Sequence, residues 1–555
     1  VTHPPGIRGV FREDAAARGV YAEAAGIDRI VPVAVAVPAD ADDVVALVRW
    51  AAATGTPLVP RGSGSSMAGG AIGAGVIVDL SRLDAIGPID RDRRRVRVGP
   101  GAVVARVDAA AGAHGLRFPV DPSSWEFCTV GGMAATNAAG AHTLRFGSMR
   151  RWVMALDCVF ADGTRATVRR GAPPPDVPAL ARALALPLTS VRHAGVRKES
   201  SGYAIADYLE SGDLVDLLVG SEGTLALFVG LELALEPRPT STASLLAAFP
   251  SLDAAVAGTA LARAAILSTR AAPTGTVGAS NEMASQAMAP TGVSACELLD
   301  KTFLDVAESG GAGKRLPAGT DAVLLIELEG DTARADAQTL GTALKKAGAS
   351  VVELALDSDA EHTLWALRHA ASPILSRLDP SLKSMQFIED AAVPPARLAE
   401  YVRGVRAALA RHEIRGVIFG HAGDAHVHVN PLIDVRRPDW RRRLDGLLAD
   451  QTALVARLDG TLTGEHGDGR LRAPLLADVW SRAALDQFAR IKAAFDPRGI
   501  LNPGVKVPLP GQEPVVDVKY DPSLPPLPAA AAAALARVER DRAYARPRLD
   551  LLAEA

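Results

Sequence analysis

The sequence predicts an α+β protein built from two main domains. Residues 1–240 form the first, and residues 241–484 form a second with an antiparallel sheet and helices. Two observations carry this. In the first half, short β-type runs alternate with helix-type runs, and glycine-rich stretches follow the strands. After about residue 240, strand-like segments (SLLAAFP, DAVLLIELEG, SVVELAL, GVIFG) alternate with long Ala/Leu/Arg-rich helical stretches. A chain of 555 residues, 48% hydrophobic and 22% charged, is long enough for two or more cores and has an ordinary globular composition.

In order along the chain, VPVAVAVP reads as a strand and Ala41–Thr54 as a helix, with Asp40 or Asp42 as its cap. TPLVP and VIVDL are the next strands, joined by the loop RGSGSSMAGGAIGAG. The run Arg91–Val98, RDRRRVRV, alternates like a surface strand. With a net charge of −3 and scattered basic residues, it gives no sign of a nucleic-acid partner. Ala271–Ser294 has no clear period and reads as a long loop or mobile insertion. Residues 509–555, Pro/Ala-rich and then charged and helical, read as a peripheral tail.

Three cysteines, Cys128, Cys158 and Cys296, are too few for a disulfide framework, a four-cysteine zinc site or an iron–sulfur cluster, and read as buried free thiols. No apolar run reaches the ~18 residues of a transmembrane helix, and VTHPPGIRGVFRED lacks the pattern of a signal peptide. The expectation is a soluble cytoplasmic protein, with peripheral placement at the inner face of the membrane, through a partner, left open. The sequence leaves a homodimer open.

Three small-residue segments lie in the first half. Pro60–Gly70 (PRGSGSSMAGG) follows a strand, and closely spaced small residues there let successive backbone N–H groups face one ligand. Alone it reads equally well as a turn without a ligand. It matches neither the Walker pattern nor GxGxxG opening a helix. Cys128–Gly147 and Leu218–Val229 (LVGSEGTLALFV) add two more such segments. Together they point to one extended ligand lying against backbone, with the character of a pyrophosphate-containing cofactor.

The histidine-rich segment GHAGDAHVHVN carries His421, His426 and His428 after the apolar strand GVIFG, and GEHGDGR places Glu465 beside His466 about 40 residues later. Imidazole is the commonest zinc ligand, and a carboxylate completes such a set. A lone strand histidine is usually a packed residue; three within eight positions followed by an acidic–His pair favour a metal site. Arg368, in LWALRHAAS, reads by itself as a surface cation on a helix.

The set VPRGSGSSMAGG, GG-x-x-x-TN and GSEGTL resembles the FAD-binding domain of the vanillyl-alcohol oxidase type. With LWALRHAAS, GHAGDAHVHVN, GEHGDGR and FDPRGILNPG, residues 25–508 resemble the FAD-linked D-2-hydroxy-acid dehydrogenases: D-lactate dehydrogenase, the glycolate oxidase flavin subunit and D-2-hydroxyglutarate dehydrogenase. The resemblance implies a FAD-binding domain with a substrate or cap domain, and a return of residues 485–508 to the first domain. It implies that Arg61, Gly62, Ser63, Gly64, Ser65 and Ser66 wrap the pyrophosphate. Thr129, Gly132, Thr136 and Asn137 would contact pyrophosphate and flavin, with Glu222, Gly223 and Thr224 on the adenosine side and Asn502 returning towards the flavin. Relatives that bind FAD covalently often carry histidine where Ser65 stands, so non-covalent FAD is expected.

The same resemblance implies that His421, His428 and Glu465 hold a divalent metal, zinc by ligand type with manganese or iron as alternatives. His466 would be the base and Asn430 a contact to substrate oxygens. Arg368, Ser372 and Lys383 would bind the substrate carboxylate. His426 and Ala425 depart from the family pattern GH-x-GD-G-N-x-H, which leaves the role of His426 open. The activity implied is oxidation of a D-2-hydroxy acid to the 2-oxo acid. Electrons would pass to a separate electron-transfer protein, quinone or iron–sulfur subunit. Competing readings are an oxygen-using alcohol oxidase of the same fold, an ether-lipid synthase-like flavoenzyme, and a zinc hydrolase built on His421, His428 and Glu465.

Overall fold

The computed structural model describes residues 6–270, 291–309, 316–369 and 381–555. The helix Ala41–Thr54 forms as the sequence predicts. Asp40 caps it by accepting from the amides of Asp42 and Asp43, and Gly55 ends it in the left-handed region at φ 73°. It lies on a four-stranded sheet with the order Val10–Arg12, Ala34–Val37, Val76–Asp79, Leu58–Arg61. The last three strands run parallel. Ala34, Ala36, Val76, Val78 and Leu58 pack towards Val44, Leu47 and Val48 of the helix. The alternate residues Val35, Val37, Val59 and Ile77 pack on the other face against Ala531, Ala534 and Val538. Burial on both faces is what a parallel sheet requires.

The tail is therefore not peripheral. Its helices Ala529–Asp541 and Arg548–Ala553 cover the second face of the first sheet, and Arg548 is 3% exposed.

A second sheet is antiparallel, in the order Arg95–Val98, Leu227–Ala234, Val153–Val159, Arg165–Arg169. The basic run alternates as expected. Arg95 and Arg97 both reach Glu232 on the neighbouring strand, while Val96 and Val98 face the core.

From residue 242 the chain builds a seven-stranded sheet, antiparallel throughout. Its order is Val351–Ala355, Thr242–Phe249, Ala322–Gly330, Thr291–Asp300, Arg415–Gly420, His428–Asp434, Leu382–Ser384. All four strand-like segments read from the sequence are in it. The loop expected over 271–294 overshoots: Thr291 to Ser294 belong to a central strand, and 271–290 fall outside the described residues. The return to the first domain begins earlier than residue 485, because Leu476 and Trp480 already share a core with Leu180, Val215 and Phe228.

Charged contacts join the halves. Arg117 Nη1 donates to Glu329 at 2.9 Å, and the His142 ring lies between Asp121 (2.6 Å) and Glu327 (2.7 Å). The site sits along this junction.

Candidate active site

A cavity opens between the halves, the kind of concave site a small ligand or cofactor occupies. Its walls are the three small-residue segments: residues 60–71, 122–139 and 222–228. Glu465 and His466 also line it. The glycine-rich loop is held from behind by its carbonyls. Arg61 O accepts from the Leu80 amide at 2.8 Å, Gly64 O from Ala25 at 3.0 Å and Ser66 O from Gly26 at 3.3 Å. A peptide's carbonyl and the next residue's N–H point in opposite directions. The ties therefore turn the amides of Gly62, Ser65 and Met67 towards the cavity, the arrangement that suits phosphate oxygens. Gly64 has φ +73°, and a Cβ there would strike the Arg61 guanidinium at 2.3 Å, so this turn admits only glycine.

GEHGDGR is fastened to this wall. Glu222 accepts from the amides of Asp468 (2.7 Å) and Gly469 (3.0 Å) and pairs with Lys506 at 3.0 Å. Asn502 donates to Gly70 O and Glu222 O and accepts from Arg470. Thr224 bonds Ser221 O and Tyr203. Asn137 ends its helix in the left-handed region and bonds Ser200 and the Arg150 amide. Asn137, Thr224 and Asn502 thus stand behind the cavity wall and brace it, whereas the other expected cofactor residues line it.

Beside Glu465, the Nε2 atoms of His421 and His428 lie 3.3 Å apart, and Glu465 Oε1 lies 3.3 and 3.4 Å from them. All three side chains are buried. The other ring nitrogens are taken: His421 Nδ1 by Glu297 at 2.6 Å, His428 Nδ1 by Glu389 O at 3.0 Å. With Nδ1–H so engaged, each Nε2 offers a lone pair. Donors 2.0–2.1 Å from a tetrahedral zinc stand about 3.3 Å apart, so the three residues fit a divalent cation.

His426 stands in the same donor cluster and also braces the turn. Its Nε2 lies 3.0 Å from Asp390, which also accepts from the amides of Glu465 and His466. Burial drives its pKa down to about 3, so the ring is neutral.

The His466 ring faces the cavity and lies parallel to that of His428, with centroids 5.3 Å apart. Its Nδ1 is 3.1 Å from Glu389. Burial would lower its pKa, but Asp390 and Glu389 outweigh that and raise it to about 9. Arg472 pairs with Glu389, whose carboxyl stays near 2 against the cost of burial. Burial also opposes ionisation of Glu465, yet Lys198 (Nζ to Oε2, 2.6 Å) and His421 hold its carboxyl well below the usual range.

Two stretches match known family domains: residues 32–169 an FAD binding domain, and residues 271–505 the C-terminal domain of FAD-linked oxidases. The glycolate oxidase subunit GlcD of Bacillus subtilis is 30% identical over 499 residues, spanning 89% of this chain and 93% of that protein. The chain belongs to the FAD-linked oxidoreductase family of glycolate oxidase subunits, D-lactate dehydrogenases and D-2-hydroxyglutarate dehydrogenases. Within that family, D-lactate dehydrogenase of Archaeoglobus fulgidus is 28% identical, with 84% of this chain and 89% of that one aligned. In fold this flavoprotein resembles the 4-ethylphenol oxidase of Gulosibacter chungangensis, with TM-score 0.64, 16% identity, and 90% and 94% of the two chains covered. It also resembles alkyldihydroxyacetonephosphate synthase, with TM-score 0.60, 15% identity, and 89% and 83% covered.

The residues expected to bind substrate divide. Arg368, on the helix Ser358–His369, donates from Nε to Glu297 at 2.7 Å, so one buried carboxylate joins it to His421. Asn430 follows His428 by two along one strand and shares its face. Lys383 does not join them. It pairs with Ile433 in the sheet, so its side chain leaves by the opposite face and ends 5.1 Å from the Tyr520 ring centroid. Ser372 lies outside the described residues. Reading the sequence missed Lys198, Glu297, Glu389, Asp390 and Arg472. The adjacent acids of QFIED were the one local signal for two of them.

Proposed function

We propose that this flavoprotein oxidises a D-2-hydroxy acid to the 2-oxo acid. A divalent cation held by His421, His428 and Glu465 assists, and the electrons leave to a separate acceptor. One observation carries the reading: Glu465 and His466 line the cavity formed by the small-residue segments and also belong to the buried donor clusters beside it.

When bound, FAD supplies the acceptor for the hydride, and the cation supplies Lewis acidity towards the substrate oxygens. The chain does the rest. A cation bound beside it would lower the pKa of His466 from about 9 towards neutrality, so that the ring could take the hydroxyl proton, and Glu389 and Asp390 would stabilise the imidazolium so formed. Glu389 also keeps His466 aimed into the cavity. Arg368 offers a fixed positive charge for the substrate carboxylate, and Glu297 holds that guanidinium. Ser65 at the loop is consistent with non-covalent FAD.

The test is a panel of D- and L-2-hydroxy acids with an artificial electron acceptor, before and after chelation. Flavin bleaching by a D-acid under anaerobic conditions, lost on chelation and restored by zinc or manganese, is the expected result. A flavin that no 2-hydroxy acid reduces, with or without added metal, sinks the proposal.

A further inference from the structure

The second matched domain ends at residue 505, yet the chain beyond it reaches the cofactor loop. Arg548, 3% exposed, donates from Nη2 to Ser63 O at 2.9 Å. On the carbonyls of residues 61–66 this is the fourth tie, and of those four the one made by a side chain. By the same peptide geometry it turns the Gly64 amide into the cavity. The same tail touches a second wall: the Tyr544 ring stacks on Phe127 at 5.1 Å, and the Arg542 guanidinium lies 5.2 Å from the Phe127 ring centroid. Phe127 immediately precedes Cys128 and Thr129, which line the cavity.

The charge balance beneath the loop points the same way. Arg61 and Arg548 are both buried there, and Asp79, itself bonded to Tyr21, is the carboxylate near both. The buried Nε of each arginine has no hydrogen-bond partner. Two buried guanidiniums against one carboxylate leave a positive charge unmatched inside the protein. Such a charge is costly unless something anionic sits nearby. The cavity floor above it is where the loop presents its amides.

We propose that Arg548 is a cofactor-positioning residue: it aims the Gly64 amide and adds a second buried cation beneath the FAD pyrophosphate, so that the C-terminal tail governs how tightly FAD is held. This rests on FAD lying with its pyrophosphate against residues 61–66.

The test compares full-length wild type with Arg548→Met and Arg548→Lys. Each is stripped of flavin and titrated with FAD by fluorescence quenching, and the thermal midpoint of each apoprotein is recorded. FAD affinity should fall about tenfold or more in the Met variant with its apoprotein midpoint unchanged, and Lys, which keeps a cation, should return to within about threefold of wild type. Arg548→Gln, a neutral donor, carries the comparison if the Met variant does not fold, with the same tenfold loss expected. An FAD affinity within threefold of wild type in the neutral variants overturns the proposal. So does an equal loss in the Lys and neutral variants, which would make the tail a packing element only. Wild-type apoprotein that does not bind FAD at all refutes the cofactor reading itself, a separate outcome.

Discussion

Glu465 works at both of its oxygens: Oε1 faces the two histidine Nε2 atoms, and Oε2 meets the buried ammonium of Lys198 at 2.6 Å. Its neighbour His466 instead faces the cavity and is held by Glu389. The two therefore fail differently when removed. Glu465→Ala should lose bound metal and activity together, read by metal analysis of the purified protein alongside turnover. His466→Ala should keep metal and flavin but lose roughly 10²–10⁴-fold in kcat, the usual size of a general-base contribution. Metal retained in Glu465→Ala would remove it from the ligand set. Arg368→Ala should raise KM for the hydroxy acid by about tenfold or more; unchanged KM and kcat would take Arg368 out of substrate binding. At this scale the sequence made His421, His428, Glu465 and His466 legible, because three histidines in eight positions are unusual. It hid Glu297, Glu389, Asp390 and Lys198, since a single acid or lysine looks like surface until burial and partners are known.

At the scale of elements, the site depends on two turns meeting. The turn carrying Glu389 and Asp390 accepts the amides of the turn carrying Glu465 and His466, and Gly464 N–H donates to Asp390 O at 2.7 Å. A Cβ on Gly464 would strike the His426 ring at 2.7 Å, so the two turns close against that ring. Asp390→Ala leaves two buried amides and the His426 Nε2–H without their acceptor. It should cost on the order of 3 kcal/mol of stability, several degrees of Tm, even with metal absent. An unchanged melting temperature would contradict this account of the turns. The sequence suggested the strand before the histidines but not the turn across from it. That turn comes from a strand-edge segment some 75 residues before Glu465, and nothing local signals such a pairing.

For the whole molecule, the junction of the halves is what brings His466 to a cavity lined otherwise by the first half. His142 is part of that junction. Burial would lower its pKa, but Asp121 and Glu327 outweigh that and hold it well above the usual 6.5. A raised folded-state pKa means its contribution is full below about pH 6.5, declines as pH rises above that, and is gone past the folded value. His142→Gln should therefore destabilise the protein by on the order of 2 kcal/mol at pH 6. The gap to wild type should shrink as the pH is taken towards 10, measured by thermal or urea unfolding across that range. A gap that is constant with pH, or that grows, would show that the ring is not held as a cation.

The sequence by itself determined the alternation of elements, the glycine-rich loop, the helix over Ala41–Thr54 and the two histidine-bearing segments that meet beside the cavity, because these are written in local spacing and residue type. Only the tertiary structure decided that Lys383 leaves by the far face, since facing follows from pairing register. It alone decided that the tail reaches Ser63 and that buried carboxylates stand behind His421, His426 and His466, since these contacts join residues tens to hundreds of positions apart.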